Sequence, residues 1–329
     1  MNRDDAALIT DVVAWFSHAA RDLPWRRTSG WGVMVSEFML QQTPVQRVIG
    51  PWHDWMERWP TPSALAAEDV GEAIRAWGRL GYPRRAMRLH ASAVAIAVDH
   101  GGEVPADLDT LLTLPGVGSY TAAAITSFAH GRSAVVLDTN VRRVLARAIE
   151  GVDFPGNSPT AAERKLATSL KDTADLLDDD SRSGDKEPED AEPVDRQSER
   201  EELPVAAGGY LAGATLAARW AAASMELGAL VCRAKDPRCA GCPIAHRCAW
   251  YAAGKPAHRG PARRGQTYAG TDRQVRGRLL EILRAQADPV PRSRLDLAWA
   301  DRVQRERALD SLLTDGLVSQ PEPGWFTVG

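Results

Sequence analysis

All four cysteines of the 329-residue chain fall within seventeen residues: Cys232, Cys239, Cys242 and Cys248, spaced C-x6-C-x2-C-x5-C. Four thiolates gathered by short loops suit a 4Fe–4S cube. Pro237, Gly241 and Pro243 supply the tight bends. Zinc also accepts four thiolates, but its sites usually show two close cysteine pairs. Here Cys239 and Cys242 form the single close pair. Unligated core cysteines would require every cysteine of the chain to meet in one loop by coincidence.

Two carboxyls are the next candidates. Glu37 is a single acid in the apolar run Val35-Ser-Glu-Phe-Met-Leu-Gln-Gln-Thr43. On a buried helix face its pKa would rise, so it could hold and deliver a proton near neutral pH. A solvent-facing or simply satisfied glutamate is the alternative. Asp138 follows Val135-Val136-Leu137 and opens a helix running from Val141 to Ile149. The positive end of that helix would keep it ionised; a plain N-cap is the alternative. Glycosidic cleavage uses carboxyls in unlike environments, one protonating the leaving group and one facing the oxocarbenium-like sugar. An N-glycosidic bond to a purine poses the same problem.

Leu114-Pro-Gly-Val-Gly118 lies between two apolar helices, the second starting near Tyr120. Gly116 and Gly118 allow positive φ and close backbone approach. Their amides can face an anion at a helix N-terminus, which contacts phosphate without reading sequence. A plain interhelical turn is the alternative.

The elements that must position these residues are helices. Leu8, Ile9, Val12, Val13, Trp15 and Phe16 line one side of a first helix that ends at Leu23-Pro24. Apolar spacings of three and four then continue to about residue 150, with Ser63 and Asp107 or Asp109 as N-caps. Residues 172–202 read as an acidic disordered insert, with 14 acids, 4 bases and few large apolar groups. Residues 253–266 form a basic Gly/Pro-rich linker. The last segment, 267–329, is a small domain. Val275, Leu279, Leu280, Ile282 and Leu283 line one helix, and Val303, Leu309, Leu312 and Leu313 another. A hairpin about Pro321-Glu-Pro-Gly324 follows, which suggests a winged helix.

The motifs together resemble the helix-hairpin-helix DNA glycosylase superfamily, and within it the MutY-type adenine DNA glycosylases. The resemblance covers about residues 8–252. It rests on Leu23-Pro-Trp-Arg26, S-E-F-M-L-Q-Q-T at 36–43, Gly78-Arg-Leu-Gly-Tyr82, L-P-G-V-G-S-Y-T at 114–121, L-D-T-N-V at 137–141, M-E-L-G-A-L-V-C at 225–232 and the four cysteines. It implies a monofunctional glycosylase acting on adenine opposite 8-oxoguanine or guanine. Glu37 would protonate N7 of the flipped adenine and later activate water. Asp138 would stabilise the sugar cation or a transient adduct, and Asn140 would orient Asp138. Trp25 and Arg26 would help line the adenine pocket. Gln41, Gln42 and Tyr82 would fill or wedge the stack around the extruded base. Leu114, Gly116 and Gly118 would form the DNA-holding hairpin. Related endonuclease III enzymes carry a lysine where Tyr120 stands here, so no amine is available for a Schiff base. The alternatives are a thymine or oxidised-pyrimidine glycosylase on the same scaffold, and a catalytically silent iron–sulfur DNA-binding module.

The architecture this implies is an all-α core: a helical barrel over 24–133 with the hairpin, and an iron–sulfur domain from 1–23 and 134–252. DNA is expected in the cleft between them. Family members usually add a Nudix-like domain that recognises 8-oxoguanine, and 267–329 is too short and helical for it. Tyr82 is followed by Pro83-Arg84, and Ala221-Ala-Ala-Ser224 enters the cluster helix, both unlike many relatives. Arg273, Arg276 and Arg278 read as a solvated helix face, with contact to DNA or a protein partner as the alternative.

Bulk properties agree. The formal charge is −3, but without the acidic insert the chain holds 29 acids and 36 bases, a balance suited to a polyanion. No apolar run approaches the ~20 residues of a membrane span, and Met1 to Asp5 does not read as a signal peptide. The expectation is a cytoplasmic, nucleoid-associated monomer that binds double-stranded DNA, with other repair proteins as conceivable partners.

Overall fold

The computed structural model describes residues 3–184, 210–258 and 268–329. In chain order its helices are α1 (Arg3–Ala19), α2 (Gly30–Leu40), α3 (Val45–Arg58), α4 (Pro62–Ala66), α5 (Val70–Ala76) and α6 (Arg84–Asp99). These are followed by α7 (Leu108–Thr113), α8 (Ser119–Phe128), α9 (Thr139–Ala148), α10 (Ala161–Gly184), α11 (Leu216–Leu230) and α12 (Ala249–Ala252). The C-terminal segment contains α13 (Asp272–Arg284), β1 (Val290–Pro291), α14 (Arg292–Asp296), α15 (Arg302–Thr314), β2 (Val318–Glu322) and β3 (Trp325–Val328). The core is helical, as expected, and the strands among the described residues are confined to the C-terminus. No described helix is long and apolar enough to cross a membrane.

The chain divides into two compact units: Met1–Thr28 with Ser119–Gly260, and Ser29–Gly118 with Pro261–Gly329. In the first, α1 buries Leu8, Ile9, Val12 and Phe16 against Val144, Leu145, Leu170, Trp220 and Leu227. Full burial of each such side chain contributes about 1.5–3 kcal/mol.

The acidic insert departs from expectation at its start. Residues 172–184 continue α10 as helix. Thr173 and Ala174 are buried, and Lys171 bridges Asp175 one turn on. As far as Ala174 the helix still turns a buried face to the unit's core, beside Leu170, so the first acids of the insert need only occupy its outer face. The remaining insert, 185–202, and most of the linker, 259–266, lie outside the described residues.

In the second unit α2 buries nine of its eleven residues, the pattern of a central helix rather than a surface one. Around it Trp55 stacks edge-on against Trp59 and Trp77, with ring centroids 4.8 and 5.4 Å apart. The Trp31 and Trp52 indoles donate to the Trp59 and Gly32 carbonyls, both at 2.9 Å. Helix α4 is capped by Thr61, whose hydroxyl accepts from Ala64 N–H, so Ser63 lies inside the helix instead of capping it. Asp107 caps α7.

The C-terminal strands form one antiparallel sheet in the order β1-β3-β2, with Val290 opposite Phe326 and Val318 opposite Val328. Helices plus a terminal hairpin are what the winged-helix reading requires. Val275, Leu279, Leu280 and Leu283 are buried as anticipated, but Val303 is exposed. The inner face of α15 is Ala308, Leu309 and Leu312, because Val303 lies in the first turn, off that stripe. Ile74 of α5 belongs to the same core, and Val70 and Met87 pack against it. The C-terminal segment thus shares a hydrophobic core with α5 and α6.

Candidate active site and cysteine cavity

Within the first unit, Asp138 stands at the start of α9. Its carboxylate accepts from the Val141 backbone N–H at 2.7 Å and from Asn140 Nδ2 at 2.7 Å. The capping role is therefore real, and Asn140 does hold the second carboxylate oxygen. Burial nevertheless pushes the Asp138 carboxyl above the usual carboxylate range, against these hydrogen bonds and the Arg143 charge. Desolvation thus sets the direction of the shift, against the cap and the helix end.

Asn140 is in turn held from behind. Arg143 Nη2 donates to its Oδ1 at 2.8 Å and to the Gly228 carbonyl at 2.7 Å, while Nε donates to the Cys232 carbonyl at 2.7 Å. A chain of charge-assisted bonds so runs from the catalytic candidate to the first cysteine. It depends on close packing of α9 and α11. A Cβ added at Gly228 would lie 2.7 Å from the Asn140 Cβ and backbone oxygen. Gly228→Ala is therefore expected to cost about 1–3 kcal/mol and to depress activity by displacing Asn140. Thermal melting and base-release rates check this; an unaltered melting point would show that the helices yield freely.

The four cysteines line one cavity, with Val144, Arg147, Ile244 and Trp250. Among the described residues no three His, Cys, Asp or Glu side chains close on a single-ion position. Four thiols are a donor set that either a zinc ion or a 4Fe–4S cube accepts. Burial pushes the Cys242 thiol up to about 11, and raises Cys232 as well, although Arg147 and Arg143 oppose that rise. Bound iron would supply the positive charge that keeps such thiolates ionised. Arg147 Nη1 donates to Cys232 Sγ at 3.5 Å and to the Arg233 carbonyl at 2.8 Å.

Within the second unit, Glu37 is buried in α2, which removes the solvent-facing alternative. Gln41 caps the end of that helix. Gln42 and Tyr82 are exposed, and both take positive φ, 56° and 48°. For a bulky side chain this costs on the order of 1 kcal/mol, and such strain collects at functional loops. Between these two positions lies Arg85, which the sequence did not single out. Its guanidinium is 5% exposed and donates to the Phe38 and Met39 carbonyls at 2.6 and 3.0 Å, at the end of the Glu37 helix. It also donates to Thr43 Oγ1 at 3.1 Å and to the Gly81 carbonyl at 3.0 Å, beside Tyr82. Burial lowers its pKa to about 10, so it stays charged at neutral pH. One cation thereby joins the end of the Glu37 helix, Thr43 and the Gly81 carbonyl, and lies 5.7 Å from the Tyr82 ring centroid. The available signal was an arginine in the first turn of α6, where a helix dipole disfavours positive charge.

In the hairpin, Leu114 and Val117 are buried anchors. Gly116 has φ 80°, and a Cβ there would meet Arg88 at 2.6 Å, so glycine is required. Gly118 has no positive φ and nothing within 4 Å of the Cβ position. Its role reduces to open backbone.

Tyr120, at the start of α8, packs beside Ala134, Val136 and Ala221 of the first unit. Trp25 is buried in the same unit. Arg26 is engaged structurally: Nη2 meets Glu226 Oε2 at 3.1 Å, and the guanidinium lies 5.3 and 5.0 Å from the Phe16 and Tyr210 ring centroids. Glu226 is 1% exposed and also binds Arg21 at 2.7 Å. Burial would raise its pKa, but Arg21 and Arg26 hold it below the ordinary value.

Residues 35–171 match the sequence model of the HhH-GPD superfamily of base excision DNA repair proteins. The chain is 49% identical, over 97% of its length, to a Mycolicibacterium smegmatis protein named adenine DNA glycosylase, covering 94% of that protein. It is 47% identical to the adenine DNA glycosylase of Mycobacterium tuberculosis, over 97% of this chain and 92% of the relative. The human adenine DNA glycosylase is 34% identical over 72% of this chain and 38% of its own length. A thermostable thymine-DNA glycosylase structure superposes with a TM-score of 0.57 at 20% identity, over 77% of this chain and 98% of that one. A non-covalent endonuclease III–DNA complex does so at 0.51 and 18%, over 75% and 94%. Both likenesses speak to the fold. The chain belongs to the adenine DNA glycosylase family of the HhH-GPD superfamily.

Proposed function

We propose that the protein hydrolyses the N-glycosidic bond of adenine mispaired with 8-oxoguanine or guanine in duplex DNA, as a monomer working on the nucleoid in the cytoplasm. The observation that carries this is 49% identity along 97% of the chain to a relative named adenine DNA glycosylase. Glu37, buried in its helix, would deliver a proton to N7 of the extruded purine. The bond from C1′ to the base then breaks with its electron pair leaving on adenine. Asp138, held by Val141 N–H and Asn140, would offer negative charge to the sugar cation. Water adds at C1′ and its proton returns to Glu37, giving free adenine and an abasic site. Tyr120 offers no amine, so the strand is left intact. Gln41, Gln42 and Tyr82 would occupy the stack, Trp25 and Arg26 would border the base pocket, and the hairpin with Leu114, Gly116 and Gly118 would take phosphate. Cys232, Cys239, Cys242 and Cys248 would hold a 4Fe–4S cluster, which supplies a rigid knot for the loop that carries them.

The test is base release from duplexes carrying A opposite 8-oxoguanine, A opposite G and T opposite G, developed with alkali. Adenine release is expected from the first two. Glu37→Gln is expected to reduce it by about 100- to 10,000-fold, the range of general acid catalysis. Thymine release from the third duplex, or binding with no release at all, would refute the proposal.

A further inference from the structure

The loop that carries Tyr82 is gripped by the C-terminal segment as well as by Arg85. Arg284, near the end of α13, donates to the Gly78 carbonyl at the base of the loop. At its tip, Arg273 in the first turn of α13 donates from Nη1 to the Tyr82 hydroxyl at 3.2 Å, across 191 residues of sequence. The same guanidinium lies 5.6 Å from the centroid of the Tyr268 ring. Tyr82 is 47% exposed and Tyr268 52%. Two exposed aromatic rings bridged by an exposed guanidinium form a surface suited to stacked bases and to phosphate. A merely solvated helix face would not carry a cation to the one loop whose strained tyrosine is the wedge candidate.

The grip is rigid. Arg75 of α5 donates to the Leu283 carbonyl in the last turn of α13 at 3.0 Å, and just past the helix to the carbonyls of Gln286 and, at 3.3 Å, Ala287. Ile74 sits in the same core as Val275 and Leu279. A shift of α13 would therefore move Arg273 and the Tyr82 loop together, so the bond at the loop tip is not incidental to a floppy appendage.

We propose that Arg273 is a positioning residue for the Tyr82 wedge, and that with Tyr268 it extends the DNA-contacting surface of the protein onto the C-terminal domain. This rests on reading Tyr82 as the wedge. The partner is duplex DNA beside the mispair: Tyr82 enters the stack, while Arg273 holds its hydroxyl and places positive charge next to the backbone.

The experiment uses the full chain and a duplex in which 8-oxoguanine faces an uncleavable 2′-fluoro adenosine, with 2-aminopurine as the neighbouring base. Wild-type binding is expected to alter 2-aminopurine emission as the wedge unstacks it. Arg273→Ala and Tyr82→Phe should each weaken binding at least three-fold and diminish the emission change. Tyr82→Phe keeps the ring and removes only the hydrogen-bonding oxygen, so folding is not at issue. The double variant should lose no more than the worse single variant, because both remove one bond. Arg273→Lys, which retains a donor, should recover part of the signal. Wild-type affinity and emission in Arg273→Ala, with loss in Tyr82→Ala, would overturn the role of Arg273 and leave the wedge standing. Unchanged emission in Tyr82→Ala would overturn the wedge reading itself.

Discussion

Asp138→Asn is expected to lower adenine release by about 1,000-fold or more, roughly 4 kcal/mol of barrier, with duplex binding retained. The substitution removes the negative charge but keeps an oxygen that can cap α9, since asparagine is as good an N-cap as aspartate. The Asn140 amide would have to turn to avoid facing a second amide, which disturbs its bond from Arg143. Phosphate contacts proposed for the hairpin do not involve Asp138, so affinity should persist.

The pH dependence follows from the raised Asp138 pKa. Catalysis needs the ionised form, so activity falls as pH drops through this raised value, earlier than for a free aspartate near 3.9. Stability has the opposite sign. A carboxyl whose folded pKa lies above its unfolded pKa stabilises the fold fully only below the unfolded value, and that contribution is lost as pH rises through the folded one. Above the raised value the ionised group is a burden on the fold, and there Asp138→Asn should melt at or above the wild-type temperature. The pair of measurements is single-turnover rate against pH and thermal melting at pH 7. A rate near wild type, or a large fall in melting temperature, would contradict the assignment.

Arg147→Ala should cost about 3 kcal/mol, because it strands the half-buried Asp153 carboxylate and opens the cysteine cavity. Arg147 is 2% exposed. Its Nη2 meets Asp153 Oδ1 at 2.7 Å, and its guanidinium lies 4.5 Å from the Trp250 ring and 5.4 Å from Phe154. It also reaches the Arg233 carbonyl and Cys232 Sγ. One planar cation thus ties α9, the 153–154 loop, the cysteine loop and α12 together. Arg147→Lys keeps the charge but has no fork to share among these partners, so it should recover only part of the loss. The readouts are melting temperature and visible absorbance of the proposed iron–sulfur cluster during isolation. Full absorbance and stability in Arg147→Ala would show that the cysteine loop stands without it.

The chemistry-bearing residues were legible where their signals are local. Cysteine spacing, the Leu114–Gly118 hairpin and an aspartate opening a helix are each encoded within a few residues, and neighbours along the chain enforce them. The single acid in an apolar run marked Glu37 as a candidate, but its burial was settled only by the packing of α2. The hydrophobic stripes of α1 and α13 were readable too, since helical periodicity is a local property. What holds these residues in place was not readable. Arg85 meets the Phe38 carbonyl across 47 residues, Arg143 meets Cys232 across 89, Arg21 meets Glu226 across 205 and Arg273 meets Tyr82 across 191. Arginine has a long stem and five donors, so sequence alone leaves its partner open. Only packing decides which carbonyls and rings it reaches. The same holds for Asp138: its helix position is a matter of sequence, whereas the desolvation that raises its pKa exists only once the surrounding helices have assembled.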